Sequence, residues 1–600
     1  MRSREDATLR ATVKNYLPAM ACATTLLLCY FVIRPYAEIG ISDDWSFIKS
    51  AQVLAQTGHI VYNGWATPML GWQVFFAALL VKLFGFSFTA VRFSTVLEAM
   101  ATAYLLQRTF VRAGLNAWNA TLATMAFVLS PLYLPLAFTF MTDISGVLCI
   151  VACFYMCLRA VQAGSERSAM VWISLAALVN ASGGTARQIA WLGVLVMVPC
   201  TLWLLRKSRR VLVVGSISCI AGAVFVVAAM HWFARQPYSI SVSPFADGIL
   251  AGPLRFLGGF YLRIAGQLAL LALPVLMMFA GSFRSWNRRA SAVFAAGIFC
   301  FAIPGVVLIR SGRLHFWLAP FMGNDATDSA FARLSAIAAW GGHLAIERNG
   351  LRILLTVAIV LGTLSLVACL FAHARGPLAS NPATAASSWR QIWIIAGPFS
   401  AATVVLLTQI RQPFGFSDRY LLPLLMILFL VLARCYQERV QAKLPWTCVL
   451  LIILFGAFSV AATHDEFALY RGYLTAIDEI RSSGAPVNTI LGPAEFDAWI
   501  EIDKTGYVND PRIRVPAGAY VPRTGDSFLE DCKPPSAAFL DQWSLYFMTW
   551  TPAIKPVFAT FIEQGTCGGK IAFPPAEYRT WIAPHTNWIY PVRLPASISR

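Results

Sequence analysis

Charged residues are scarce in this chain. Only 13% of its 600 residues are Asp, Glu, Lys or Arg, which is about half of what a soluble globular domain carries. Histidine is also rare, with 7 residues, and no cysteine–histidine cluster has the spacing of a zinc site. The first shortage excludes an ordinary soluble domain, and the second leaves no zinc-binding pattern.

Apolar residues take the place of the missing charge. They make up 58% of the chain, and the mean hydropathy is +0.63. Apolar stretches of about 17–23 residues recur between residues 17 and 462, and each is long enough to cross a bilayer. The fold class we predict is therefore an all-α polytopic membrane protein with a C-terminal α/β domain. The first stretch, 17–33, is a signal anchor or a cleaved signal peptide, and the lack of a small-x-small cleavage site favours the anchor.

The net charge of +18 does not indicate a nucleic-acid partner, because the basic residues gather in short loops between apolar stretches. Examples are residues 206–210 and 284–289. Clusters of this kind hold the loops of a membrane protein in the cytoplasm and lie well against anionic lipids. We expect membrane lipids as partners and no nucleic acid.

Fourteen apolar segments are candidate spans. They are about 17–33, 68–84, 91–107, 118–139, 144–158, 168–182, 189–205, 211–233, 256–280, 291–309, 351–372, 391–409, 420–433 and 446–462. If all of them cross, basic loops such as 206–210 fall outside, against the positive-inside rule. If 68–84 instead lies on the outer surface, about 13 crossings remain, with the N-terminus inside and the C-terminus outside. This orientation predicts a multi-pass inner-membrane protein.

Two domains follow from the change in composition near residue 463. Residues 1–462 form the predicted transmembrane domain, with outer loops 34–90 and 310–350. Residues 463–600 are polar, rich in Pro and Gly, and contain short alternating runs, which predicts a periplasmic domain of mixed α/β structure. Of the 13 cysteines, only Cys532 and Cys567 lie there, and they form a disulfide in an exported domain or remain two lone thiols.

Three carboxylates flank the predicted spans. Asp43 and Asp44 follow the first span, and Asp143 follows a long apolar stretch. Carboxylates beside a bilayer are costly unless they meet a cation, a hydrogen-bond donor or a substrate. The predicted topology brings all three to the outer face, together with Arg187 and the loop 410–419. A shared site at this face is our first hypothesis.

Short motifs in a fixed order resemble the GT-C glycosyltransferases. They are Asp43-Asp44 after the first span, a surface segment containing Pro68 and ending Lys82-Leu83-Phe84-Gly85, Arg92 at the next span, Asp143, and Arg419-Tyr420-Leu421-Leu422-Pro423 at a late span. Over about residues 15–435 the chain is similar to the bacterial aminoarabinose transferases and protein O-mannosyltransferases of the glycosyltransferase 39 type. It departs from them at Ala66-Thr67-Pro68, where mannosyltransferases have His-Pro-Pro, and at Asp44, where Glu is usual.

The resemblance implies an inverting transfer of a sugar from a polyprenyl-phosphate carrier to a lipid, glycan or protein acceptor. A phosphate leaving group needs no strong general acid, so one carboxylate that deprotonates the acceptor can suffice, and Asp43 is the candidate. Asp44 and Asp143 complete the candidate catalytic set. The departing phosphate needs fixed cationic donors, for which Arg187 and Arg419 are candidates, and Tyr420 joins them in the substrate-binding motif.

Each assignment has an alternative. The aspartates could be helix caps, Arg187 could reach toward lipid headgroups, and Arg419 could pair with Asp418. Glu98, inside a predicted span, is either functional or a partner of Arg92 or Arg108. The protein could also be a transporter or flippase of lipid-linked sugars, or a polysaccharide ligase or polymerase, although no repeated halves are evident. We expect no cofactor, since one pair of adjacent carboxylates is too little to predict a divalent metal.

Overall fold

The computed structural model describes residues 2–65, 71–239, 254–310, 350–372, 387–408, 417–507, 557–562, 569–582 and 584–595. Its α-helices are α1 Arg2–Ile33, α2 Asp44–Thr57, α3 Trp72–Phe84, α4 Phe88–Arg112, α5 Ala117–Val128, α6 Tyr133–Ala137, α7 Thr142–Val161, α8 Glu166–Gly183, α9 Val198–Leu204, α10 Arg209–Phe233, α11 Leu254–Leu271, α12 Leu273–Leu276, α13 Arg288–Arg310, α14 Gly350–Phe371, α15 Trp389–Thr408, α16 Leu422–Arg439, α17 Trp446–Ser482 and α18 Ala494–Thr505. The strands are β1 Ile490–Leu491, β2 Phe558–Phe561, β3 Lys570–Ile571, β4 Ala576–Thr580 and β5 His585–Arg593.

The predicted fold class, a helical membrane protein with a small C-terminal α/β part, is confirmed. Eight helices in the described part of the chain are long and apolar enough to cross a membrane: Asn15–Ile33, Thr142–Val161, Arg209–Phe233, Arg288–Val307, Gly350–Phe371, Trp389–Thr408, Asp418–Arg439 and Trp446–Ser482. Many of their apolar side chains are exposed, such as Ile217, Val224 and Val227 on α10, as expected for a surface that lipid covers. The number of crossings, about 13, stays a prediction.

Several apolar segments are interrupted where the sequence has proline. The segment 118–139 divides into α5 and α6 around Pro131, and α11 meets the following helical segment at 72° where Pro274 is the second residue of α12. Proline lacks an amide N–H, so it fits the start of a helix and weakens a helix interior, although Pro18 in α1 and Pro398 in α15 lie within continuous helices. If the bent pair around Pro274 crosses as one span, the described spans number nine.

Helix α3 has the features of a surface helix. Its 13 residues give a length of about 20 Å, which is less than the hydrocarbon core of a bilayer. Phe75, Leu79 and Leu83, spaced four residues apart, are all exposed on one side of it. An exposed apolar stripe on a short helix fits an element that lies in the membrane interface. The placement of 68–84 on the outer surface stays a prediction, and the described helix begins only at Trp72.

Loops at one end of the bundle are tied together by Arg434 on α16. Its Nη1 donates hydrogen bonds to the carbonyl oxygens of Ala113, after α4, at 2.6 Å and of Ser387, before α15, at 2.9 Å. Gln162, after α7, donates from Nε2 to Ser387 Oγ at 2.9 Å. These four chain segments therefore lie on one face of the bundle.

The C-terminal part contains a five-stranded sheet in the order β1-β2-β5-β3, with β4 also paired to β5. Strands β1 and β2 are parallel, whereas β5 is antiparallel to β2, β3 and β4. The polar residues after 463 begin as a continuation of α17, which passes the predicted domain boundary without a break and ends at Ser482. The boundary at 463 and the independent domain 463–600 stay predictions.

Helix α17 carries the sheet. The buried carboxylate of Asp465 accepts hydrogen bonds from the backbone N–H groups of Trp581 and Ile582, in the turn between β4 and β5. Two helical turns after Asp465, Gly472 packs closely against the sheet. A Cβ at this position would stand 3.2 Å from Tyr578 and 3.3 Å from Ile589, so a larger residue would require these side chains to move. The sheet therefore rests directly on the helix that leaves the membrane.

Candidate active site

The segment after α1 is fixed by hydrogen bonds before it reaches the acidic pair. Glu38 accepts from Ser87 Oγ at 2.8 Å and from the N–H groups of Phe88 and Thr89 at the start of α4. Partial burial alone would raise the pKa of Glu38, but the hydrogen bonds from Thr89 and Ser87 lower it below its usual value. The segment is thereby held against the N-terminus of α4 as it approaches Asp43.

Asp44 is the buried member of the acidic pair. Its carboxylate binds Arg92 through two contacts, Nε to Oδ2 at 2.7 Å and Nη2 to Oδ1 at 3.1 Å, and its side chain has no exposed surface. Oδ1 also accepts the N–H of Ile41 at 2.8 Å. Arg92 in turn donates to the carbonyl oxygens of Ala37 and Ile39. Asp44 and Arg92 thus form the rigid base of the loop, and Glu98 is not the partner of Arg92.

Asp43 points away from this base and is accessible. Its side chain is 36% exposed, against 0% for Asp44 and 2% for Asp143. It occupies the N-cap position of α2 without forming a side-chain capping hydrogen bond. Ser42, just before it, has a φ of +54°, a left-handed conformation that costs a non-glycine residue roughly 1–3 kcal/mol. Capping therefore does not account for the carboxylate of Asp43.

Two side chains approach the Asp43 carboxylate from other elements. Trp65 Nε1 donates to Oδ1 at 3.0 Å, and Arg419 Nη2 lies 3.6 Å from Oδ2. Trp65 is itself held by Asn63, whose Oδ1 accepts its backbone N–H at 3.1 Å, and by ring contact with Trp45 at 5.6 Å. The carboxylate is thus oriented from one side and faces a guanidinium on the other.

Asp143 and Arg187 form a second ion pair beside the first. Arg187 Nη2 lies 3.0 Å from Asp143 Oδ1, and Nη1 lies 3.4 Å from Thr142 Oγ1. Asp143 is in the first turn of α7 but makes no capping bond, and its buried Oδ2 has no hydrogen-bond partner among the described residues. Arg187 is mostly buried, so it does not extend toward lipid headgroups.

Tyr420 joins the two pairs. The guanidinium carbon of Arg187 lies 4.9 Å from the centre of its ring, and that of Arg419 lies 5.6 Å away. Arg419 and Tyr420 belong to a 3-10 turn, Asp418–Leu421, which precedes α16. Asp418 accepts a hydrogen bond from the buried Gln267 of α11 at 3.1 Å, and this contact fixes the turn. Arg419 meets Asp43 rather than its neighbour Asp418.

The structure therefore brings Asp43, Asp143, Arg187, Arg419 and Tyr420 into one cluster, which we call the acidic–arginine cluster. Its members come from four separate parts of the chain, and each lies at the end of a helix or span. The two ion pairs, Asp43–Arg419 and Asp143–Arg187, are linked through the Tyr420 ring. Arg419 Nε is buried and has no hydrogen-bond partner in the described part of the chain.

Some contributing residues carried no signal in the sequence analysis. Trp65 donates to Asp43 of the cluster, and Gln267 donates to Asp418, the neighbour of Arg419; both come from segments without a recognisable motif. Glu98 was predicted to be functional or to pair with Arg92 or Arg108, and its Oε2 instead accepts a hydrogen bond from Ser145 Oγ, two residues after Asp143. Such contacts depend on the packing of distant helices, so local residue patterns do not reveal them.

Other predicted features lie outside the described residues. These are Cys532, Cys567 and residues 311–349 of the predicted outer loop. Within the described ranges, no group of three or more His, Cys, Asp and Glu side chains is arranged to hold a metal ion.

One family of known proteins matches part of this chain. Residues 66–233 match the family described as dolichyl-phosphate-mannose-protein mannosyltransferase. The predicted resemblance to glycosyltransferases is confirmed. The matching region includes Arg92, Asp143 and Arg187, whereas Asp43 and Arg419 lie outside it.

Two solved structures align with nearly the whole chain. The crystal structure of ArnT from Cupriavidus metallidurans bound to undecaprenyl phosphate is 15% identical, with a TM-score of 0.40, over 98% of this chain and 99% of that one. ArnT from the same organism in the apo state is 13% identical, with a TM-score of 0.39 and the same coverage. No curated protein sequence is significantly similar to the chain.

Proposed function

We propose that this multi-pass membrane protein is a glycosyltransferase that moves a sugar from a polyprenyl-phosphate carrier to a lipid, glycan or protein acceptor. The observation that carries the proposal is the accessible Asp43 carboxylate, which faces Arg419 at 3.6 Å inside the acidic–arginine cluster. A base next to a phosphate-binding group is what an inverting transfer from a sugar phosphate requires. The match of residues 66–233 to a mannosyltransferase family supports the same reaction class.

In the proposed reaction, Asp43 accepts the proton of the acceptor nucleophile while that atom forms a bond to the anomeric carbon. The bond between this carbon and the carrier phosphate breaks at the same time, and polyprenyl phosphate leaves with the electron pair. Arg187 and Arg419 bind the phosphate as its charge increases, because guanidinium groups stay charged and donate in two directions. Asp143 holds the Arg187 guanidinium at 3.0 Å and so orients it toward the phosphate, while its buried Oδ2 has no hydrogen-bond partner among the described residues.

Asp44 has a positioning role in this proposal. Its two contacts with Arg92 fix the loop that carries Asp43, and its complete burial leaves no room for contact with a substrate. The two adjacent aspartates therefore have different roles: the exposed Asp43 acts on the acceptor, and the buried Asp44 holds the backbone of the loop.

The position of the cluster favours an enzyme over a carrier. Asp43 follows the span Asn15–Ile33, Asp143 opens the span Thr142–Val161, and Arg419 opens the span Asp418–Arg439. All three therefore lie at one surface of the membrane, which we assign to the outer face of the inner membrane. Transporters instead place their charged residues near the midplane.

Asp43→Asn tests the proposal. The substitution keeps the size of the side chain and can keep the hydrogen bond from Trp65, but it removes the basic carboxylate. Since a general base contributes about a hundred- to ten-thousand-fold in rate, transfer should fall by that factor while binding of the carrier lipid is retained. Asp478→Asn, in an exposed ion pair with Arg481, is the matched control and should transfer normally.

The assay uses proteoliposomes with a labelled polyprenyl-phosphate sugar and envelope extract from a deletion strain as acceptor. It measures labelled product and released polyprenyl phosphate. Near-normal transfer by Asp43→Asn would refute the base assignment. Movement of intact donor across the bilayer without release of polyprenyl phosphate would instead identify a flippase.

A further inference from the structure

A second polar cleft lies between α17 and β4, apart from the acidic–arginine cluster. Its volume is about 300 Å³, and its charged lining consists of His464 and Arg471 from the helix and Glu577 and Arg579 from the strand. Trp581 completes one wall, stacked on the His464 ring with a centroid distance of 3.8 Å. Two arginines from different elements thus face one opening.

The membrane level of this cleft follows from two independent features. Helix α17 is apolar from Trp446 to Thr463, a length of about 27 Å, so His464 stands where the helix leaves the hydrocarbon core. Arg471 Nη1 donates to the carbonyl oxygen of Arg34 at 2.9 Å, just after the span that ends at Ile33. The cleft therefore lies at the height of the lipid headgroups, on the face where Asp43 lies.

The charged side chains in the cleft differ in burial and in the number of their hydrogen bonds. Asp465, below the opening, is buried and occupied by the backbone N–H groups of Trp581 and Ile582 and by His464 Nδ1. Arg579 is 77% exposed and contacts only Glu577, at 2.8 Å, among the described side chains. Exposed ion pairs of this kind are weak, so Arg579 can exchange Glu577 for an incoming anion.

We propose that this cleft binds the phosphate of an anionic lipid headgroup, between Arg471 and Arg579. Arginine pairs with phosphate oxygens through parallel hydrogen bonds, and each cation near a membrane surface adds roughly fivefold to the affinity for anionic lipid. The exposed Trp581 ring, 44% accessible at the same level, suits the boundary between headgroups and acyl chains. The site lies outside the proposed catalytic machinery and would hold a lipid beside it.

Opposite substitutions in the Glu577–Arg579 pair test this site. Purified protein in detergent is titrated with phosphatidylglycerol, phosphatidylcholine or inorganic phosphate, and native mass spectrometry counts the bound molecules. Arg579→Gln should weaken phosphatidylglycerol binding about fivefold. Glu577→Gln should strengthen it, because it removes the carboxylate that competes for Arg579. Arg481→Gln, further along α17 and paired with Asp478, should leave it unchanged.

A purely structural ion pair predicts that both substitutions have the same effect, since either one removes the same contact. Equal affinities in all three variants, or the same loss from Glu577→Gln and Arg579→Gln, would overturn the proposal. Phosphatidylcholine binding as tight as phosphatidylglycerol binding would also overturn it. If inorganic phosphate bound as tightly as the lipid, the site would serve a soluble anion and the lipid assignment would be wrong.

Discussion

At the scale of single residues, Asp43 and Asp44 have opposite environments although they are adjacent in the chain. A helix start directs successive side chains about 100° apart, so one carboxylate can enter the protein while the next faces the site. Arg92 takes the inward one and Arg419 approaches the outward one. The sequence shows an acidic pair, but only the packing of α4 and of the turn before α16 decides which member is accessible.

This difference predicts opposite consequences for the two Asp→Asn substitutions. Asp44→Asn leaves Arg92 as an unpaired buried charge, so we expect a loss of about 3–5 kcal/mol in the free energy of unfolding. Asp43→Asn alters an accessible group and should stay within about 0.5 kcal/mol of wild type. Thermal unfolding of both variants in one detergent measures the difference. Equal stability of the two variants would contradict the positioning role of Asp44.

At the scale of helices, the Asp143–Arg187 pair depends on a close approach at Gly146. A Cβ at this position of α7 would stand 2.6 Å from Cβ of Arg187 and 2.9 Å from its Cγ. Helix propensity alone favours Ala over Gly by about 1 kcal/mol in a helix interior. Glycine at this position is therefore explained by contact with Arg187 rather than by the needs of α7.

Gly146→Ala is accordingly expected to displace Arg187 from Asp143 while α7 stays helical. The KM for the polyprenyl-phosphate donor should increase, by roughly tenfold if one charged hydrogen bond is lost. Gly397→Ala, in α15, is the control, because its Cβ would meet only Trp393 at an ordinary 3.7 Å. Steady-state kinetics of the two variants make the comparison. An unchanged KM in Gly146→Ala would show that Arg187 does not bind the donor.

Elements were predictable where the sequence is periodic and apolar, and less so where the chain bends. The span at 211–233 corresponds closely to α10, whereas 256–280 is divided by the bend at Pro274 and 189–205 begins with a 3-10 turn, Gln188–Ala190, and a π-helical segment, Gly193–Met197. The charged residues of the site could be predicted because a charged side chain next to an apolar span stands out in the sequence. Trp65 and Gln267 could not be found, because a single neutral side chain becomes informative only through its partner in space.

At the scale of the whole molecule, the bundle has two distinct faces. The acidic–arginine cluster occupies one, and the loops joined by Arg434 and Gln162 occupy the other. The basic residues 206–210 lie after α9 and extend into the first turn of α10, and α17 ends at Ser482. Between them are the spans of α10, α13, α14, α15, α16 and α17, and the bent pair around Pro274.

This arrangement makes the sidedness of the membrane testable. If the bent pair crosses the membrane and the predicted outer loop 310–350 does not, the number of crossings between Arg210 and Gly484 is odd. A reporter fused after Arg210 should then behave as cytoplasmic, and one fused after Gly484 as exported. Alkaline phosphatase and green fluorescent protein fusions at both positions give complementary signals. If both fusions lay on one side, the bent pair would be a re-entrant loop, and the C-terminal sheet would face the cytoplasm with the basic loop.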